Sequence, residues 1–172
     1  WHQHYGNLHF KQSGVLLDAN LYHTRDTGRA LAGEIDNTAF SLSGTYSFGP
    51  HAVMLGWQRI TGDTPFDFVG GDSIYLANSI KYADFNGANE RSWQARYDLD
   101  LGAFGIPGLS FMSRYLSGDN VSRAAGGEGK EWERDTEFKY QVQSGTFKDV
   151  SVRLRNSTYR SNYEKWARDM DE

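Results

Sequence analysis

The sequence predicts an all-β chain: about eight strands of a transmembrane antiparallel up-and-down β-barrel. Three observations point there. Apolar and polar side chains separate by parity in one segment after another, the mark of a strand with two different faces. Short Gly- or Pro-marked turns alternate with long polar loops, so the two kinds of connection gather at opposite ends of an up-and-down sheet. Aromatic residues recur near strand ends, among them Phe10, Phe48, Trp57, Trp93, Tyr115, Trp132 and Tyr159, where two interfacial girdles of a membrane barrel would need them.

Taken in order, residues 2–11 place Gly6, Leu8 and Phe10 on one side and Asn7, His9 and Lys11 on the other, and Gln12-Ser13-Gly14 turns the chain. Residues 15–24 set Val15, Leu17, Ala19 and Leu21 against Leu16, Asp18, Asn20 and Tyr22. After a polar loop, residues 37–48 oppose Phe40, Leu42, Tyr46 and Phe48 to Ala39, Ser41, Ser43, Thr45 and Ser47, and Gly49-Pro50 turns again. Residues 51–60 return with Val53, Leu55 and Trp57 outward.

Residues 62–90 hold no sustained period, and a connection of that length inside an ordered domain is usually functional. Residues 91–101 then alternate Trp93, Ala95, Tyr97, Leu99 and Leu101 with Ser92, Gln94, Arg96, Asp98 and Asp100. LGAFGIPG turns the chain into 109–116, with Leu109, Phe111 and Tyr115 against Ser110, Met112 and Arg114. A polar loop, SGDNVSRAAGGEGK, leads to a hairpin over 131–161.

That hairpin is the cleanest of all. Thr136, Phe138, Tyr140 and Val142 share one face and Asp135, Glu137, Lys139, Gln141 and Gln143 the other; on the return, Val150, Val152 and Leu154 oppose Ser151, Arg153, Arg155 and Ser157. If 142 faces 150, Phe138 meets Leu154, Lys139 meets Arg153 and Glu137 meets Arg155, so like faces match throughout.

Composition narrows the functions. The 172 residues include no cysteine, which excludes disulfides and cysteine-ligated metal, and the net charge of −4 argues against nucleic acid as partner. The five histidines, His2, His4, His9, His23 and His51, stand in no spacing with Ser or Asp that marks a catalytic triad. Asp98 and Asp100 are strand neighbours on one face rather than a paired-carboxylate site. Neither enzyme activity, nor a cofactor, nor a metal is expected. The chain opens on Trp1 with no initiator Met or signal peptide before it, as part of a longer mature chain would.

The segments GDTPFDFVGGDSIYLANSIKYADFNG, ERSWQARYDLDLGAFGIPGLSFMSRYLSGD and GKEWERDTEFKYQVQSGTFKDVSVRLRNSTYRS resemble the C-terminal half of the OprD family of substrate-specific porins of Gram-negative outer membranes. The resemblance covers nearly the whole chain. It implies an eighteen-stranded barrel in the cell outer membrane, contacting lipid and lipopolysaccharide and often assembled as a homotrimer. The eight strands here would be its tenth to seventeenth, with the closing strand missing, and 62–90 would be a constricting external loop. Residues 1–172 would then be part of one barrel domain, cut with two open edges that lipid does not tolerate.

In such a barrel the polar parity lines a water-filled pore and the apolar parity meets lipid. The resemblance implies a basic ladder of Arg96, Arg114, Lys139, Arg153 and Arg155 that guides a carboxylate, with Asp63, Asp67 and Asp72 of the loop receiving a positive end. Guanidinium suits the first task through planar bidentate contacts. Glu137, opposite Arg155, is expected to neutralise it in part, leaving Arg153 the stronger field. The function so implied is passive uptake of small carboxylate-bearing solutes: basic amino acids, or aromatic or aliphatic carboxylates. The residues alone leave open a soluble or membrane barrel binding a small ligand, with an outer-membrane barrel hydrolase further off. A soluble barrel wants its apolar face inward.

Overall fold

Ser13 and Gly14 both adopt positive φ, 48° and 81°, as a two-residue turn that matches the right-handed twist of its strands requires. A Cβ on Gly14 would lie 2.6 Å from the carbonyl oxygen of Ser47, at the end of the next hairpin. Adjacent hairpin ends thus meet backbone to backbone, with Ser47 N donating to Gly14 O at 2.8 Å. From such turns the chain builds one antiparallel sheet. The computed structural model describes residues 2–30, 33–67 and 74–163, and the backbone of 170 and 171.

The strands are β1 (His2–Gln12), β2 (Val15–Arg25), β3 (Asp36–Phe48), β4 (His51–Thr61), β5 (Arg91–Asp100), β6 (Leu109–Ser122), β7 (Glu128–Gln141), β8 (Ser151–Ser161) and β9 (Met170–Asp171). They pair strictly in chain order, β1 through β9, and the sheet does not close on itself. Eight long strands match the expectation. The ninth is a finding: Met170 and Asp171 pair with Tyr159 and Thr158, so a further strand begins where none was expected.

The hairpin register is as the parity requires, with Phe138 opposite Leu154, Lys139 opposite Arg153 and Glu137 opposite Arg155. The apolar parity is left open: Leu8, Leu55 and Leu154 are 73, 63 and 72 % exposed. Aromatics form two bands on that face. Near the long loops, Phe40 packs on Trp57, and Trp93, Tyr115 and Trp132 run on across β5 to β7 with centroids 5.7 and 5.9 Å apart. Near the short turns, Tyr46, Phe48, His51, Tyr97, Phe111 and Phe138 make a continuous chain. Along β5 the bands stand four residues apart, about 13 Å at strand rise.

Two expectations need correction. Tyr159 is no girdle residue: it is buried on the opposite, polar face and stacks on Tyr82. Counting in twos from Leu154 puts position 159 there. The polar loop expected from 117 to 130 shrinks to 123–127, because β6 and β7 continue through a bulge between Gly118 and Val121. What carries β6 onward is a remote partner: Ser122 N donates to Ala88 O at 2.8 Å. The alternation of short turns and long loops is correspondingly less strict than expected, since the five residues at 123–127 are fewer than the eight between β5 and β6, which include a 3-10 turn over Leu101–Phe104, or the nine between β7 and β8.

A core does form, but between loop and wall. Phe66, Ile74 and Leu76 pack on Tyr22, Ala39 and Ile60, all three on the polar parity at the long-loop end.

Candidate functional site

The described part of the 62–90 connection lies across the polar face from β2 to β8, tied down residue by residue. Asn37 donates to Pro65 O at 2.8 Å and anchors its start. Gln58 then does two jobs, donating to Asp84 O and Phe85 O at 2.9 and 2.8 Å while accepting from Asn78 N at 2.9 Å. Asn78 reaches Ser92 Oγ at 2.8 Å and Gln94 donates to Ala77 O. At the far side Glu133 accepts from Tyr82 N at 3.2 Å and Ala83 N at 3.1 Å. Gly118 makes room: a Cβ there would come within 2.9 Å of the Phe85 ring. Buried amides and carboxylates are costly unless paired, so this polar wall holds the loop by supplying its missing partners.

One residue pair further toward the short turns, the basic side chains begin. Arg96 and Arg114 stand directly opposite each other on β5 and β6. Each has its own counter-charge. Arg96 forks onto Asp98 two residues along its strand, Nε and Nη2 donating at 2.8 and 2.7 Å. Arg114 reaches across to Asp135 at 2.6 Å, and that pair is nearly buried, the aspartate side chain 1 % exposed. Below them Met112, Glu137 and Arg155 are in register, and below those Ser110, Lys139 and Arg153. Glu137 holds both arginines, Arg155 Nη2 at 2.5 Å and Arg153 Nε at 3.2 Å. Lys139 makes no ion pair among the described residues. A concavity of about 390 Å³ opens along this wall, with Arg96, Asp98, Ser110, Met112 and Glu137 in its lining.

The five basic residues are therefore brought together, in three successive rows on four adjacent strands. Two details differ from expectation. Arg153 is not left without compensation, because Glu137 lies within diagonal reach of it. The loop aspartates do not gather with the ladder: Asp63 and Asp67 are exposed at the start of the loop, beside β1 and β3, and Asp72 lies outside the described residues.

What the sequence reading missed is that Glu131 and Glu133 extend the polar-face acids Asp135 and Glu137 into one series. All four share the polar parity of β7, three of them buried. The signal was present as acids at every second position.

An apolar face turned outward, a polar face holding a folded-in loop and descending charges describe a membrane barrel rather than a soluble ligand-binding one. The comparisons agree. The family model described as outer membrane porin, OprD family, matches residues 1–172. The chain belongs to the OprD family of outer-membrane porins. Porin D of Pseudomonas aeruginosa is 43 % identical over 178 residues, covering 91 % of this chain and 40 % of that protein. The porin-like protein GalP of Pseudomonas putida is 38 % identical, covering 86 % of this chain and 36 % of that protein.

Among solved structures, Pseudomonas aeruginosa OccK10 (OpdN) superposes with a TM-score of 0.88 at 49 % identity, covering 98 % of this chain and 49 % of that one. The outer membrane protein OprD from the same species gives 0.84 at 43 %, covering 93 % and 47 %. OccK2 (OpdF), solved in complex with glucuronate, gives 0.84 at 39 %, covering 96 % and 47 %. The chain thus spans about half the length of these relatives or less, an open sheet from an outer-membrane β-barrel. OprD-family porins are channels, not enzymes.

Proposed function

We propose that this sheet is one wall of a pore through which small carboxylate-bearing solutes pass the outer membrane. The polar face is lumenal, the loop at 62–90 narrows the passage, and Arg96, Arg114, Lys139, Arg153 and Arg155 form a basic ladder leading away from it. One observation carries the reading: cationic side chains descend in rows two residues apart, starting immediately beneath the inward-folded loop. Rows at that spacing stand about 6.5 to 7 Å apart, close enough for a carboxylate to be handed on.

The ladder's charge is mostly, not fully, compensated. Four of its five cations pair with three carboxylates, Asp98, Asp135 and Glu137, and a fourth acid, Asp100, stands in the row of Ser110, Lys139 and Arg153. A modest positive excess suits transport, since sites must attract a solute and also release it. Of the loop acids, Asp63, Asp67 and Asp72 offer a place for the positive end of a basic amino acid. The glucuronate in the OccK2 complex supports small carboxylates as the class. The exposed apolar face with its aromatic bands suits outer-membrane lipid and lipopolysaccharide, and a homotrimer of the complete protein is proposed only from the family resemblance.

Liposomes carrying the complete porin test this. They should swell faster in a uronic acid salt than in the matching neutral sugar. Equal rates for the two, with the channel shown to be open, would contradict the reading.

A further inference from the structure

Glu90 and Glu131 meet where the loop ends and the wall resumes, in the only place where the described residues bury a loop carboxyl against a strand carboxyl. Glu90 is completely shielded from solvent and Glu131 almost so. Glu90 Oε2 accepts from Gly87 N at 2.8 Å, and its backbone oxygen accepts from Ile60 N at 2.9 Å. Oε1 meets no N–H or hydroxyl donor among the described residues. It sits over Gly118, where a Cβ would come within 2.1 Å of it, and Gly118 is the register partner of Glu131. The Glu131 carboxyl faces Glu90 at Gly118, and it also accepts from the Tyr159 hydroxyl. Two carboxyls can hydrogen-bond only with a proton between them.

The surroundings favour keeping that proton. Besides Glu131, the groups facing Glu90 among the described residues are Asp119 from β6 and, around the pair, Tyr159 from β8 and Tyr163 beyond it: acids and phenols. Arg91, next in the chain, is occupied by Asp119 at 2.9 Å.

We propose that Glu90 and Glu131 share one proton, and that this bond is a latch holding the end of the loop to the barrel wall, so that raising the pH frees the loop. The proposal rests on the reading of 62–90 as the constriction. Glu90 and Glu131 act as positioning residues, outside the solute's path.

Burial, then the neighbouring Glu131, pushes the Glu90 carboxyl up from 4.5 to about 10, against the Gly87 N–H that pulls it down. The sign follows. A freed loop returns Glu90 to the ordinary carboxyl range, so between about 4.5 and about 10 the released state binds fewer protons than the latched one. Across that window each unit of pH weakens the latch by about tenfold. Below it the latch is insensitive to pH.

The test uses the complete porin. Its single-channel conductance should rise as pH increases through the window. Glu90→Gln, whose amide donates to Glu131 without a titrating proton, should stay flat, and Glu131→Gln serves if that variant does not assemble. Infrared spectra at neutral pH should show a protonated carboxyl band that Glu90→Gln removes, and amides at 86–90 should exchange faster at high pH in the wild type than in the variant. Absence of the band, or exchange at 86–90 that responds to pH alike in wild type and variant, would overturn the latch. Band and exchange as expected with conductance flat in both would uphold the latch and overturn the loop as constriction.

Discussion

Arg153 Nε lies 3.2 Å from Glu137 Oε1 as an ion pair, one residue pair away from the register position at which Glu137 faces Arg155. One carboxylate is thus shared by two guanidinium groups, and Arg153 and Arg155 form a single electrostatic unit. Neutralising Glu137 as Glu137→Gln should release both, making the complete channel more anion-selective with little loss of stability, since both arginines are substantially solvated. Reversal potentials in a salt gradient read this. A shift toward cations would contradict the shared pairing.

Arg114 and Arg96 differ in how deeply their partners sit. Asp135 is almost fully buried and Asp98 is a third exposed. Asp135→Ala leaves a shielded guanidinium unpaired and should cost about 3 kcal/mol or more. Asp98→Ala should cost less than about 1 kcal/mol. Thermal unfolding of the two variants in detergent compares them, and equal losses would show that burial is not what separates the pairs.

Gly118→Ala places a methyl group where Phe85 and Glu90 now pack. The sheet should still assemble, because Gly118 has ordinary strand geometry, but the loop must lift. Limited proteolysis within 62–90 should accelerate while heat resistance of the barrel changes little. Gly14→Ala should behave in the opposite way, strained by its positive φ and pressed on the Ser47 carbonyl, so that stability falls and the loop stays protected.

Cysteines introduced in the complete barrel report the faces. Positions Leu8, Phe40, Leu55, Trp93, Phe111, Phe138 and Leu154 should resist a water-borne thiol reagent, while Ser43, Lys139 and Arg155 should react through the pore. Gln94 and Arg114 share the second face but should react slowly, one buried under the loop and the other tucked against Asp135. Fast reaction at Leu55 or Leu154 would invert the assignment.

Strand identity and register could be read from the chain because parity is a local property: Phe138 facing Leu154 needs nothing beyond a period of two and a turn. The same parity already placed Tyr159 and the acids of β7 on the polar face. What could not be read is contact at a distance. The extension of β6 depends on Ala88, and Arg153's second partner lies diagonally across the sheet. The docking of Phe66 and Phe85 on polar strands has no periodic signature, since irregular loops are ordered by the wall they meet.

The most direct measurement concerns the lower ladder as a unit. In the complete porin, Lys139, Arg153 and Arg155 are replaced together by glutamine, and carboxylate current is compared with that of a neutral-sugar uptake control. The account predicts that carboxylate permeation falls, selectivity moves toward cations, and sugar uptake and barrel assembly stay as they were. Carboxylate current and selectivity unchanged in a normally assembled triple variant would contradict it.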